Sequence, residues 1–174
     1  MPGVSLEAIK DLREQTSAGV MDCKNALEEA GGDMAKAVEL LRQKGLSIAA
    51  KKSSRDTLEG VVDSYIHAGS RVGAIVELNC ETDFVARTPE FKELAHNLAM
   101  QIAAMSPRYV DGEAADEDEA AGAESLLLME QAFIKDPSQT IRDVVNDVMA
   151  RLGENIRVRR FQRFALGEDA AASE

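Results

Sequence analysis

The 174-residue chain has no tryptophan, and tyrosine and phenylalanine together make up only 4% of it. Aliphatic side chains and alanine must therefore fill its core. The apolar fraction of 45% is enough for one, which excludes a wholly disordered chain. Cysteine is nearly absent: Cys23 and Cys80 form no Cys-x-x-Cys pair, and His67 and His96 have no ligand spacing. A disulfide framework and a structural metal site are thus disfavoured, and the cysteines read as reduced core residues of separate modules. No apolar run approaches the roughly 20 residues of a membrane span. Met1-Pro2-Gly3-Val4-Ser5 has neither a basic region nor an apolar run, so no signal peptide is expected and the expected location is the cytoplasm. Nucleotide-binding glycine fingerprints, phosphate loops and Gly-x-Ser-x-Gly elbows are missing as well.

Positive charge is also short, with 20 Lys and Arg against 31 Asp and Glu and a net charge of −11. Nucleic-acid binders gain affinity by neutralising phosphates, so this balance argues against a general one. The charge is uneven. Seven acids and no bases lie between Asp111 and Glu124, whereas Arg157, Arg159, Arg160 and Arg163 crowd into seven residues.

What the sequence does contain is organised around Asn79-Cys80-Glu81-Thr82-Asp83-Phe84-Val85-Ala86-Arg87. Before it, Val72, Ala74, Val76, Leu78 and Cys80 are apolar at every second position, the period of a half-buried strand. After it, Thr88-Pro89-Glu90 reads as an N-cap, a first-turn proline and an acid facing the helix dipole. Phe91, Leu94, Ala95, Leu98, Ala99 and Ile102 then recur at helical spacing. Thr82-Asp83-Phe84-Val85 is therefore expected as a loop held at both ends, able to present Phe84 rigidly.

Along the rest of the chain, Ser5 is expected to cap a helix with Leu6, Ile9 and Leu12 on one face. A second stripe of Val20, Cys23, Leu27 and Ala30 closes at Gly31-Gly32, and Asp33 caps a third helix that Gly45 ends. Residues 1–45 thus read as a minimal three-helix bundle of the ubiquitin-associated type. The Val20-Met21 pair is compatible with core or with a docking patch, and core is the commoner use. Residues 46–57, with Lys51, Lys52 and Arg55, read as a basic linker.

From 58 to 167 the pattern is that of an α+β core. Val61, Asp63 and Tyr65 alternate with Val62, Ser64 and Ile66, and His67-Ala68-Gly69-Ser70-Arg71 turns into the Val72–Cys80 strand as a hairpin. Ser106-Pro107 stops the following helix. Residues 111–124 read as an acidic flexible segment and Leu126–Ile134 as a strand. A helix from Ser138 or Thr140 carries Ile141, Val144, Val145, Val148 and Leu152 and closes at Gly153. A last strand has Ile156, Val158 and Phe164 on one side, and 168–174 read as a disordered tail. The fold class is α+β: the bundle, then a small antiparallel sheet packed with helices.

Two chemical readings have weaker support. Glu77, Glu81 and Asp83 could form a carboxylate cluster for a metal or for acid–base work, but Glu77 and Glu81 fall on the polar face of a strand and no base partner is identifiable. The arginines around Phe161 could suggest stacking on RNA, but a strand with one wet face gives the same pattern.

Four blocks resemble one known family. Met21-Asp22-Cys23-Lys24 with Ala26-Leu27 and Leu40-Leu41-Arg42-Gln43-Lys44-Gly45 is similar to the start of translation elongation factor Ts. Asn79 to Ala86 resembles its central signature. Glu130-Gln131-Ala132-Phe133-Ile134-Lys135-Asp136 and Gly153-Glu154-Asn155-Ile156-Arg157-Val158-Arg159-Arg160-Phe161 resemble two further blocks in the family's order. The resemblance implies a guanine-nucleotide exchange factor for elongation factor Tu, binding its GDP-bound and nucleotide-free forms, without catalytic chemistry, cofactor, nucleic acid or membrane. It implies that Thr82, Asp83, Phe84 and Val85 enter the partner's nucleotide domain and displace magnesium. It also brings Arg13, Val20 and Met21 of the bundle to the same domain.

Three departures stand out. The interval between Pro107-Arg108-Tyr109-Val110 and Gln131-Ala132-Phe133 is shorter than the family's helical insertion, and the sheet subdomain occurs once, which points to a homodimer. Ser17-Ala18-Gly19-Val20 replaces the usual Thr-Gly-Ala-Gly-Met run. The competing reading is an adaptor with a ubiquitin-associated-like head and an unrelated sheet domain.

Overall fold

The computed structural model describes residues 4–16, 18–112 and 124–168. Short polar side chains start its helices. The Ser5 hydroxyl accepts the Ala8 N–H at 3.1 Å at the head of α1 (Leu6–Thr16), and Asp33 accepts the Lys36 N–H at 3.1 Å at the head of α3 (Met34–Lys52). With α2 (Val20–Glu29) these helices bury Ile9, Leu12, Cys23, Ala26, Leu27 and Ala37 as a cluster of their own. The expected bundle is present, with two adjustments: Leu6 is exposed in the first turn of α1, and Val20 lies outside the buried stripe of α2.

Gly45 does not end α3. The helix runs on to Lys52, so the first part of the segment expected to be a linker, 46–57, is helical. Gly45 is buried, and a Cβ placed on it would lie 3.7 Å from Ala150 Cβ of α6 (Ile141–Leu152). That is ordinary van der Waals contact, so Gly45 is a mid-helix residue packed against α6 rather than a C-cap.

The hairpin is as expected. β1 (Glu59–Ile66) pairs antiparallel with β2 (Val72–Cys80), and β2 pairs on its other side with β5 (Ile156–Ala165), giving the order β1-β2-β5. One face of this sheet, through Ala74, Val76, Leu78, Cys80, Ile156 and Val158, packs with α5 (Pro89–Met105) and α6 into the main core. Thr88 caps α5 by accepting the Phe91 N–H, and Ser106 ends it in the left-handed conformation before Pro107. Thr140 opens α6 with a reciprocal capping box to Asp143, and Gly153 at φ 78° closes it. No helix among the described residues is long and apolar enough to cross a membrane.

Two strand expectations fail for identifiable reasons. β5 keeps Ile156 and Val158 inward but turns Phe164 outward, because the register slips between Glu77 and Leu78: Leu78 faces Val158 while Glu77 faces Arg160. The extra residue, Arg159, inverts the alternation beyond it.

Leu126–Ile134 is not one strand. It forms 3₁₀ turns at Glu124–Leu126 and Leu128–Glu130, then the two-residue β3 (Ala132–Phe133), which pairs with β4 (Asp136–Thr140). Consecutive Leu127 and Leu128 are both buried, which an alternating strand with one wet face cannot achieve. Buried Gln101 satisfies the irregular backbone, donating to Ala132 O at 3.1 Å and accepting the Ile134 N–H at 2.9 Å. Most of the expected acidic segment (residues 113–123) and of the expected tail (169–174) lies outside the described residues.

Candidate docking site

β2 ends at Cys80, whose thiol is buried and donates to Thr82 O at 3.1 Å. Burial, with Glu154 nearby, pushes that thiol up to about 11, so it stays protonated and serves as packing. The chain then leaves the sheet through Thr82, which has extended dihedrals (φ −129°, ψ 152°). Its hydroxyl accepts the Val85 N–H at 3.4 Å. The expected loop is therefore a single helical turn, α4 (Asp83–Ala86), with Thr82 as its N-cap. Thr88 ties the far end, donating its hydroxyl proton to Val85 O at 2.8 Å.

This turn divides its side chains sharply. Val85 is 7% exposed and Ala86 5%, both within the main core, while Phe84 is 80% exposed. The fold thus spends Val85 on anchoring and leaves the aromatic ring in solvent, where a large apolar group has no stabilising role. Asp83 is exposed and pairs with Arg87 one turn later at 2.7 Å, a surface pair of the kind that contributes about 0–1 kcal/mol.

On the bundle, Val20 (53% exposed) and Met21 (62%) open α2 and stand outside the core, so their expected core role is corrected. Arg13 is exposed on α1. The carboxylates that might have formed a reactive cluster are each occupied. Glu77 pairs with Arg160 at 2.7 Å and Arg159 at 3.7 Å across the sheet, and Glu81 accepts the Asn155 N–H at 2.6 Å and faces Arg55 at 3.4 Å. Glu77 thus offsets part of the basic run around Phe161. Among the described residues, no three His, Cys, Asp or Glu side chains gather as a metal-binding group.

Two residues with no local sequence signal hold the turn. Glu154 accepts the backbone N–H of Glu81 at 3.1 Å and of Thr82 at 3.0 Å, and the Thr82 hydroxyl proton at 2.6 Å. Asn155 donates to Arg55 O at 2.7 Å and Ser53 O at 3.3 Å. Both lie in the Gly153–Phe161 block, but nothing in local spacing points from there to a turn more than 70 residues earlier.

The helical head, the three-stranded sheet and the capped turn at its end define one class, an α+β protein that holds an aromatic ring out in solvent. Comparison with known proteins narrows that class to a family. The family model described as Elongation factor TS matches residues 7–126. The elongation factor Ts of Carboxydothermus hydrogenoformans is 47% identical over 201 aligned residues, covering 98% of this chain and 93% of the relative. That of Anaeromyxobacter sp. (strain K) is 49% identical, covering 97% and 90%, and that of Thermotoga petrophila 47%, covering 95% and 97%. The chain belongs to the elongation factor Ts family, and nucleotide exchange in translation is the role that goes with that family. The alignments are longer than the chain's own 174 residues, so the relatives carry residues with no counterpart here.

Proposed function

We propose that this chain is the guanine-nucleotide exchange factor of elongation factor Tu and that it releases GDP by docking, with no catalytic group or cofactor of its own. One observation carries the reading: Phe84 is exposed on a capped turn whose next residue, Val85, is sealed in the core. A ring held this way can enter a partner without the chain refolding.

GDP on such a partner is held by backbone N–H groups, a lysine and a magnesium ion at its phosphate loop. A protein that binds best when this loop and metal are displaced must weaken GDP, and by linkage GDP weakens that protein by the same factor. A thousandfold to ten-thousandfold effect requires roughly 4 to 5.5 kcal/mol. Burying one phenylalanine contributes about 1.5 to 3 kcal/mol. Phe84, carried by Thr82 and Asp83 and anchored by the buried Val85, is therefore the wedge, and the remainder comes from docking the head through Arg13, Val20 and Met21 and the sheet domain against the partner's distal domain. Asp83 can swing from Arg87 at little cost and disturb the metal's shell.

We further propose that the factor works in the cytoplasm as a homodimer, independently of nucleic acid and membrane. The outer face of the sheet leaves Val62, Ile66, Ile75 and Phe164 exposed, an apolar surface on which a second copy fits. Light scattering that returned the 18.8 kDa of one chain would remove the dimer from this account.

The decisive experiment follows fluorescent GDP leaving elongation factor Tu in a stopped-flow instrument. Acceleration by catalytic amounts of the wild-type chain is expected. An unchanged release rate would leave the adaptor reading instead.

A further inference from the structure

A four-residue helical turn cannot fix its own direction. Helix nucleation is unfavourable, and α4 is a single turn, closed by the Ala86 N–H on Thr82 O at 3.3 Å. What aims Phe84 must come from outside the turn. Val85 supplies one anchor from the core side. The other is a clasp between two distant segments. Glu154, just after the left-handed Gly153 that ends α6, places one carboxylate oxygen on the Glu81 and Thr82 N–H groups and the other on the Thr82 hydroxyl. In return Glu81 accepts the Asn155 N–H at 2.6 Å. The Thr82 hydroxyl is then committed: it donates to Glu154 and accepts from Val85, so the cap of α4 is oriented by the carboxylate behind it.

The same point also receives the exit of α3. Asn155, 4% exposed, donates its amide protons to Ser53 O and Arg55 O, and Arg55 faces Glu81. The clasp therefore joins the wedge turn, the end of α6 and the link that leads from the helical head into the sheet. Its bonds to a carboxylate are charge-assisted, and a carboxylate has no donor of its own, so three donors converging on Glu154 are all satisfied.

We propose that Glu154 is a positioning residue of nucleotide exchange, setting the direction in which Phe84 is presented. This rests on the reading of Phe84 as the wedge. Its role is not one of stability alone, because the surfaces that dock remain intact without it while the aim of the ring is lost.

The test is Glu154→Gln in the full chain. The substitution keeps the shape but turns one acceptor into a donor, so either the two N–H groups or the Thr82 hydroxyl loses its acceptor. Expected is a fall of about tenfold in the maximal rate of GDP release from elongation factor Tu, as for loss of one charge-assisted bond. The factor concentration giving half that rate should move by less than about twofold. In a Phe84→Ala background the same substitution should cause no further loss, because Glu154 acts through the ring.

Equal losses in both backgrounds, or a shift only in the half-saturating concentration, would overturn the assignment. So would a wild-type rate for Glu154→Gln while Phe84→Ala is slow, and that outcome leaves the wedge intact. A wild-type rate for Phe84→Ala alone would instead sink the wedge. If Glu154→Gln melts below the assay temperature, Glu81→Ala opens the other half of the clasp with Glu154 in place. The same rate-specific loss, absent in the Phe84→Ala background, is expected from it, and any other pattern counts against the proposal.

Discussion

Replacing Phe84 by alanine removes a ring that is 80% exposed and leaves Val85, Ala86 and the Thr82 cap untouched. The folded chain should hardly notice. Surface substitutions of this kind stay within about 0.5 kcal/mol, which for a chain of this size shifts the melting temperature by no more than about 2 °C. Docking is different. Full burial of a phenylalanine contributes about 1.5 to 3 kcal/mol, and roughly four-fifths of that area remains to be buried on a partner, leaving about 1.2 to 2.4 kcal/mol. At about 1.4 kcal/mol per tenfold, GDP release should slow by roughly 7- to 50-fold. The assay is stopped-flow release of fluorescent GDP from elongation factor Tu at saturating factor, alongside a thermal melt. A variant that melts like wild type and still releases GDP within twofold of the wild-type rate would refute the wedge. A large fall in melting temperature would show instead that the ring contributes to the fold, contrary to its exposure.

Three further outcomes follow from packing and ionisation. Gly45→Ala should raise the melting temperature by about 2 to 4 °C, since alanine gains about 1 kcal/mol of helix propensity. Its Cβ would sit at an ordinary 3.7 Å from Ala150, and a lower melting temperature would mean that α3 and α6 tolerate no methyl between them. Gly60→Ala should cost about 1 to 3 kcal/mol in urea unfolding. Its Cβ would meet Leu78 O at 2.2 Å and Asn79 Cα at 2.8 Å, both backbone, and an unchanged midpoint would contradict this close approach of β1 to β2. Cys80 should be alkylated at pH 8 roughly 100-fold more slowly in the native chain than in urea, because its thiol is pushed from 9.0 up to about 11. In that case the native state keeps a proton that the unfolded chain gives up. Stability contributed by this group should therefore fall as pH rises from about 9 to about 11, and a rise in that window would reverse the assignment.

Local rules carried a good part of the architecture. Short-range physics decides caps and alternation, so Ser5, Asp33, Thr88 and Thr140 start helices where their hydroxyls and carboxylates predict, and Val72–Cys80 forms a half-buried strand. The placement of Phe84 where a strand gives way to a helix was legible for the same reason. Where a residue's role depends on what arrives from elsewhere, the sequence was silent or misleading. Gly45 has the look of a helix end, yet α3 runs through it to Lys52 where it packs along α6. Phe164 has the parity of a core residue, and a single extra residue in β5 turns it to solvent. The exposure of Phe84, the burial of its neighbour Val85 and the grip of Glu154 on Thr82 were settled by the tertiary structure: Val85 is buried by the packing of the turn against β1, β2 and α5, and the grip needs groups more than 70 residues apart brought within hydrogen-bond distance.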